Sequence, residues 1–202
     1  MTPDPKPVNT RHVILDRDGV LNREAPQRGY VLSRAGFHWL PGALEALALM
    51  HSAGLRLSVA SNQSAVGRGL MSLAQLEDIM AHMRAQAAAA GGPLDAVFFC
   101  PHAPGQHCEC RKPAPGLLRQ AVEASGVDAA ATLVAGDDVR DVEAALAAGL
   151  TPVLLRTGKG RSAEVQLRNR GVMIATYDDL LHLAQVLTHQ APALKAGVPH
   201  HD

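Results

Sequence analysis

The sequence predicts an α/β fold: a Rossmann-like parallel sheet with helices on both faces, no cap domain over it, and a zinc-binding loop. Strand-like and helix-like segments alternate along the 202 residues. Most strand-like segments are continuous apolar runs, which is typical of strands buried on both faces. The connections between the first three predicted strands are too short to hold a separate lid domain, and the chain shows no internal repeat.

The predicted strands are short and apolar, and several lead directly into polar residues. The first has the sequence HVILD and ends in an acid. In a parallel sheet the ligand lies at the carboxyl ends of the strands, so the polar residues there are expected to converge on one edge. Those residues are Asp16, Ser61, Cys100 and Asp137. The predicted strands are His12–Asp16, Leu57–Ala60, Ala96–Phe99, Thr132–Ala135, Pro152–Leu155 and Val172–Ala175.

The predicted helices carry apolar residues at helical spacing between recognisable ends. The clearest start is at Ser72, which can cap a helix with Gln75 in the capping-box position, while Met71 can pack on Leu76. The other helices are predicted at Gly42–Ala53, Pro115–Ala124, Val139–Ala148 and Asp178–Thr188. Gly54 and Gly149 are expected to end the first and third of these.

Composition limits the classes of partner. Lys plus Arg and Asp plus Glu are 19 each, so the net charge is zero and no global attraction to nucleic acid is expected. No apolar run is long enough to cross a bilayer, and residues 1–9 lack the apolar core of a signal peptide. We therefore predict a flexible tail at residues 1–10, a single capless domain at 11–190, a flexible tail at 191–202, and a cytoplasmic location without nucleic-acid or membrane partners.

Two carboxylates stand two residues apart in the segment Asp16-Arg17-Asp18-Gly19. At the end of a strand both can face one pocket, where one could attack phosphorus and the other could give a proton to the leaving oxygen. Gly19 lets the chain turn sharply away. The alternative is a polar turn with solvated acids, and the segment alone does not decide between the two.

Two further segments could hold a phosphoryl group. Ser61-Asn62-Gln63-Ser64 offers hydroxyls and backbone N–H groups, although such a segment is more often a turn or a cap. The cations of Arg111 and Lys112 could stabilise a transferring phosphoryl group, although exposed Arg-Lys pairs are common.

An acidic segment follows the fourth predicted strand. Asp137 could complete an oxygen-only site for Mg²⁺ that keeps some waters and bridges to a substrate phosphate. The alternative is that Asp137 or Asp138 caps the next helix.

All three cysteines of the chain lie in one short segment, Cys100-Pro-His102 followed after five residues by Cys108-Glu-Cys110. Three thiolates and one imidazole can close a tetrahedral Zn²⁺ site with no open position, so the predicted zinc is structural. His107 is the competing imidazole. Incidental loop cysteines are the less favoured alternative.

Taken in order, these segments resemble the four motifs of the haloacid dehalogenase (HAD) superfamily of phosphohydrolases. The zinc loop is similar to that of the branch containing D,D-heptose 1,7-bisphosphate phosphatase and histidinol-phosphatase. Further similarity to the heptose branch lies in Asn22, Gly29-Tyr30-Val31, Ser61–Gly69, Cys110–Pro113 and Arg156–Gly160.

The resemblance implies a role for each matching residue. Asp16 would be the nucleophile and Asp18 the general acid and then base, while Ser61 and Lys112 would hold the phosphoryl group. Mg²⁺ would be bound by Asp16, the backbone carbonyl of Asp18, and Asp137. The substrate, a small phosphorylated metabolite, would be contacted by Asn22, Gly29, Tyr30, Ser61, Asn62, Gln63, Ser64, Arg68, Arg111 and Lys112.

The chain also departs from the family pattern. Ser61 stands where Thr is usual, residues 23–28 are extra, and Asp138 replaces a common Lys. Asp138 could approach the metal, or Arg140 or Arg68 could supply the missing cation. The short spacing from His102 to Cys108 is similar to the histidinol-phosphatase loop.

The favoured prediction is a heptose 1,7-bisphosphate 7-phosphatase, with Arg68, Arg111 and Lys159 as candidate ligands of the distal phosphate. The alternatives are a histidinol-phosphate phosphatase, with Glu24 or Glu109 facing the amine, and a non-enzymatic zinc-bearing scaffold. A monomer or small homo-oligomer is expected.

Overall fold

The structure is a computed structural model that describes residues 9–25 and 29–189. The predicted tails therefore lie outside the described residues, except for residues 9 and 10, and so do residues 26–28 of the extra segment. The strands are β1 (His12–Leu15), β2 (Arg56–Asn62), β3 (Ala96–Cys100), β4 (Thr132–Gly136), β5 (Thr151–Leu155) and β6 (Ala175–Tyr177). The helices are α1 (Ala43–Ser52), α2 (Leu73–Ala89), α3 (Gly116–Ser125), α4 (Val139–Ala147), α5 (Gly160–Asn169) and α6 (Leu180–His189).

The strands form one parallel six-stranded sheet in the order β3-β2-β1-β4-β5-β6, which confirms the predicted fold class. Successive residues of β1 pack into different clusters: Val13 and Leu15 join one, and Ile14 joins the other. The first cluster includes side chains of α1, α2 and α6, and the second includes those of α3 and α4. The continuous apolar sequence of β1 follows from this burial on both faces.

No cap domain interrupts the part of the chain that the structure describes. The connection from β1 to β2 contains the 3₁₀ turn Arg34–Gly36 and α1, and the connection from β2 to β3 contains α2. None of the helices within residues 9–25 and 29–189 is long and apolar enough to span a membrane.

The C-terminal half departs from the predicted elements at two places. The last strand is Ala175–Tyr177 rather than Val172–Ala175, because Val172 and Ile174 pack against α5 before the strand begins. Helix α5 itself was not predicted from the sequence.

The sheet order determines where the polar strand ends meet. β1 lies between β2 and β4, and the N–H of Asp16 donates to the carbonyl of Ala135 at 3.0 Å, which continues the ladder past the last strand residue. The side chains that follow β1, β2 and β4 therefore face one edge of the sheet.

Candidate active site

A pocket of about 420 Å³ opens at this edge. It is lined by all but one of the residues predicted to act in catalysis, substrate binding or magnesium binding. Asn22 is the exception, because it is fully buried beneath the surface. The predicted residues that line the pocket are Asp16, Asp18, Gly29, Tyr30, Ser61, Asn62, Gln63, Ser64, Arg68, Arg111, Lys112 and Asp137.

Three carboxylates converge at the base of the pocket. One oxygen each from Asp16, Asp137 and Asp141 lies within 4.8 Å of the others. Burial raises the pKa of Asp137 to about 8, and the nearby charges of Asp16 and Asp141 act in the same direction. Three clustered acids are ionised together only when a cation compensates them, and all-oxygen ligands suit Mg²⁺. The donor set therefore fits the predicted magnesium ion and adds Asp141 to it.

Asp137 is held in place by the loop that follows β5. The backbone N–H of Lys159 donates to Asp137 Oδ2 at 2.8 Å. Gly19 and Gly158 approach the same oxygen so closely that a Cβ atom on either would lie 2.1 or 2.0 Å from it. Both glycines have positive φ. The two loops therefore fix the direction of the Asp137 carboxylate.

Lys112 is buried between two of these acids. Its Nζ lies 3.0 Å from Asp16 Oδ1 and 2.5 Å from Asp141 Oδ1, and it donates to the carbonyl of Ala60 at 2.8 Å. Burial alone would lower the pKa of Lys112, but Asp141 and Asp16 outweigh it and raise the pKa above its ordinary value. A permanent cation therefore lies beside Asp16.

Asp141 was not predicted as a site residue. It occupies the third position of a capping box begun by Asp138, and its Oδ2 accepts from the N–H groups of Asp137 and Asp138 at 3.2 and 3.1 Å. A capping role accounts for an acid at this position, so the sequence pattern concealed its place in the carboxylate cluster. The three- and four-residue spacings of Asp141 from Asp138 and Asp137, across the start of α4, are the signal that could have revealed it.

Asp18 does not belong to the carboxylate cluster of Asp16, Asp137 and Asp141 and is hydrogen-bonded to other side chains. Its carboxylate accepts from Arg17 Nη2 at 2.8 and 2.9 Å, from Asn22 Nδ2 at 2.9 Å, and from Gln63 Nε2 at 2.8 Å. Burial opposes ionisation, but Arg17 and the two amides outweigh it and hold the pKa of Asp18 below its ordinary value. Gln63 also donates to Ser61 Oγ at 3.0 Å, which links the acid to the buried hydroxyl. Arg17, fully buried, is a second site residue that sequence reasoning missed.

The rim of the pocket carries four cationic side chains, of which Lys159 and Arg140 are paired with carboxylates. Lys159 Nζ lies 2.6 Å from Glu24 Oε1, and Arg111 Nη1 donates to the carbonyl of His102 at 3.3 Å. Arg68 makes no ion pair with any residue among 9–25 and 29–189. Within the described part of the chain, Arg68 and Arg111 thus present positive charge without a carboxylate partner.

Asp138 serves the helix rather than the acid cluster. It caps α4 by accepting from the N–H of Arg140 at 3.0 Å, and it pairs with the Arg140 guanidinium at 2.7 Å. Burial opposes ionisation of Asp138, but these bonds prevail and lower its pKa to about 2. Of the alternatives left open by the sequence, capping is the one that the geometry favours.

The four predicted zinc ligands form a compact cluster beside the pocket. Cys110 Sγ lies 3.2 Å from Cys100 Sγ and 3.4 Å from His102 Nδ1, and Cys100 Sγ lies 3.6 Å from Cys108 Sγ. Zn–S bonds of about 2.3 Å place tetrahedral sulfur atoms about 3.8 Å apart, so the Cys100–Cys108 distance fits a zinc ion, and Cys110 would move away from Cys100 by about 0.6 Å to bind it. His107 does not belong to the cluster. The segment that leaves the cluster at Cys110 leads directly to Lys112.

Comparisons with known proteins match most of the chain. The HAD-hydrolase-like family model matches residues 109–182. A D-glycero-β-D-manno-heptose-1,7-bisphosphate 7-phosphatase from Pseudomonas aeruginosa is 40% identical over 175 residues, which cover 87% of this chain and 96% of that protein. The enzyme of that name from Neisseria meningitidis is 33% identical over 190 residues, covering 91% and 98%.

A solved structure supports the same comparison. D,D-heptose 1,7-bisphosphate phosphatase from Bordetella bronchiseptica, complexed with magnesium and phosphate, superposes with a TM-score of 0.83 at 38% identity. The match covers 90% of this chain and 100% of that one.

Proposed function

The chain belongs to the HAD-like family of hydrolases, and we propose that it removes the 7-phosphate from D-glycero-D-manno-heptose 1,7-bisphosphate in a magnesium-dependent reaction. One observation carries the phosphatase assignment. The Asp16 carboxylate borders the pocket, 3.0 Å from the buried Lys112 ammonium and in the same carboxylate cluster as Asp137 and Asp141. This arrangement pairs a nucleophile with the cation needed to stabilise a transferring phosphoryl group.

The residues of the pocket account for both halves of the reaction. A carboxylate oxygen of Asp16 forms a bond to phosphorus as the bond from phosphorus to the sugar oxygen breaks, and Asp18 supplies the proton to that oxygen. Because Arg17 holds the pKa of Asp18 low in the free protein, this step requires the bound substrate to weaken that pairing so that Asp18 carries a proton. Water then attacks the phosphorus of the aspartyl phosphate and loses a proton to Asp18, which releases inorganic phosphate and restores Asp16. Lys112 and the Ser61 hydroxyl hold the phosphoryl oxygens.

The site gives each proposed metal a separate task. Asp16, Asp137 and Asp141 would hold Mg²⁺, with the backbone carbonyl of Asp18 as a further expected ligand. Bound there, the ion supplies charge neutralisation at the phosphoryl oxygens. The zinc loop has few apolar side chains, and a closed thiolate site would fix its shape and the position of the segment that leads to Lys112.

The choice of substrate rests on the relatives and on the charge of the rim. A bisphosphate carries a second anionic group, and Arg68 and Arg111 lack carboxylate partners among the described residues. Histidinol phosphate instead carries a cationic amine. Of the two carboxylates predicted to face it, Glu109 does not line the pocket, and Glu24 is already paired with Lys159 at 2.6 Å. The electrostatics of the rim therefore favour the bisphosphate. A cytoplasmic location and a monomer or small homo-oligomer stay predictions.

A direct competition between the two compounds tests this proposal. We expect kcat/KM for the heptose bisphosphate to exceed that for histidinol phosphate by at least about tenfold on the same zinc-containing, Mg²⁺-supplied preparation, since specificity is the ratio of these constants. Asp16→Asn protein purified identically controls for contaminating phosphatases. A tenfold preference for histidinol phosphate would refute the heptose assignment.

A further inference from the structure

The side-chain amide of Asn62 is bound to the main chain of another segment. Its Oδ1 accepts from the N–H of Lys112 at 3.0 Å, and its Nδ2 donates to the carbonyl of Lys112, also at 3.0 Å. The side-chain amide of Asn62 thus donates one hydrogen bond to the backbone of Lys112 and accepts one from it, in the way that the backbone of a neighbouring strand would. The two residues are 50 positions apart in the sequence.

This pair of bonds fixes a residue that belongs to no helix or strand. Lys112 lies between the last cysteine of the zinc cluster and the start of α3. Asn62 holds the backbone of Lys112 against the end of β2. On the same strand, the carbonyl of Ala60 accepts a hydrogen bond from Lys112 Nζ at 2.8 Å. The ammonium is thereby directed between Asp16 and Asp141.

The sequence resemblance implied that Asn62 contacts the substrate. The structure gives its amide a different use, because both polar atoms are already engaged with Lys112. We propose that Asn62 is a positioning residue, which acts on the phosphoryl group only through Lys112. This inference rests on the proposed function, in which Lys112 holds the phosphoryl oxygens.

A double-mutant cycle tests the proposal. Asn62→Ala is expected to lower kcat about 10- to 100-fold, the cost typical of losing a group that orients a catalytic ligand. KM should change by less than about threefold, because the Asn62 side chain makes no contact of its own with the substrate and Lys112 is still present. In a Lys112→Met background the same Asn62→Ala change should have almost no effect, since the residue through which Asn62 acts is already lost.

Ser58→Ala is the matched control for stability. Ser58 is a buried polar residue of the same strand, bonded to His12 at 3.0 Å and remote from the pocket. Its loss should lower the melting temperature while leaving kcat unchanged. If Asn62→Ala does not fold, the cycle is run with Asn62→Asp, which keeps an acceptor for the Lys112 N–H but loses the donor.

Hydrogen exchange measures the contact without turnover. The peptide that contains Lys112 should exchange faster in Asn62→Ala than in wild type, and at the wild-type rate in Ser58→Ala. Retained kcat with raised KM would overturn the inference in favour of a substrate contact, and an equal cost in both Lys112 backgrounds would also overturn it. An inactive wild type would instead refute the proposed function, and the exchange result would still decide whether Asn62 fixes Lys112.

Discussion

The loop that follows β5 should control magnesium affinity, and Gly158→Ala tests this. A Cβ atom at Gly158 would lie 2.0 Å from Asp137 Oδ2 and 2.8 Å from the Cα atom of Gly19. Cβ atoms in proteins essentially never lie closer than 3.0 Å to such an atom, so Asp137 Oδ2 would have to move away from the new Cβ atom by about 1 Å. Mg²⁺ demands oxygen ligands at about 2.0–2.1 Å in near-octahedral geometry, so a displacement of that size removes a ligand.

The Gly158→Ala change is expected to have two effects, a loss of folding stability from the backbone and a loss of Mg²⁺ affinity. Gly158 has φ of +50°, and an alanine in the left-handed region costs roughly 1–2 kcal/mol, or about 2–8 °C in melting temperature for a domain of this size. The loss of Mg²⁺ affinity is the larger effect. Disturbing a group that only orients a ligand costs about 10- to 100-fold in affinity, so displacing Asp137 itself should cost about 100-fold or more.

Gly171→Ala is the matched control. Gly171 has φ of +73°, but a Cβ atom added there would have nothing within 4 Å. The Gly171→Ala change should therefore cost only the backbone strain. The assay is phosphate release across a Mg²⁺ titration, with melting temperatures measured on the same samples. Both variants should melt at lower temperatures, and only Gly158→Ala should need about 100-fold more Mg²⁺ for half-maximal activity. Equal Mg²⁺ requirements in the two variants would show that the loop after β5 does not control the position of a magnesium ligand.

Three further changes probe separate parts of the molecule. Asp18→Asn should lower kcat by about 10²–10⁴ without loss of folding, because proton transfer is removed; wild-type kcat at neutral pH would contradict that role. Cys110→Ser should reduce the zinc content of the purified, reduced protein and lower kcat, and metal analysis finding full zinc occupancy in the variant would argue against Cys110 as a ligand. Burial lowers the pKa of His12 from 6.5 to about 4, so the unfolded state binds an extra proton between these values. Stability should therefore fall as the pH drops from about 6.5 to 4, by roughly 3 kcal/mol. His12→Gln should flatten that part of the melting-temperature curve, and an unchanged curve would count against His12 as its source.

The elements that the sequence predicted well are those whose local signals agree with their burial. β1 is apolar throughout because both of its faces are covered, and α2 starts with the predicted capping box, in which the Ser72 hydroxyl accepts from the Gln75 N–H at 3.2 Å. Helix α5 lacked such signals. It begins after Lys159 without a side-chain cap, and Ala163 and Leu167 are its only buried residues besides its first glycine.

The site also contains residues that could be predicted from the sequence and residues that could not. Asp16, Ser61 and Asp137 could be brought together from the sequence because parallel strands deliver their carboxyl ends to one edge. The roles of Arg17 and Asp141 depend on the directions of side chains in loops and first turns. Arg17 is fully buried against Asp18, and a sequence gives no sign that an arginine beside two acids turns inward.

The central claim is that Asp16 carries the phosphoryl group during catalysis. A crystal structure of the Mg²⁺-containing protein with beryllium fluoride tests it most directly, since trifluoroberyllate mimics a phosphoryl group on a carboxylate. We expect density for the mimic on a carboxylate oxygen of Asp16, within hydrogen-bonding distance of Lys112 Nζ and Ser61 Oγ. Density for the mimic on any other side chain would show that Asp16 is not the nucleophile.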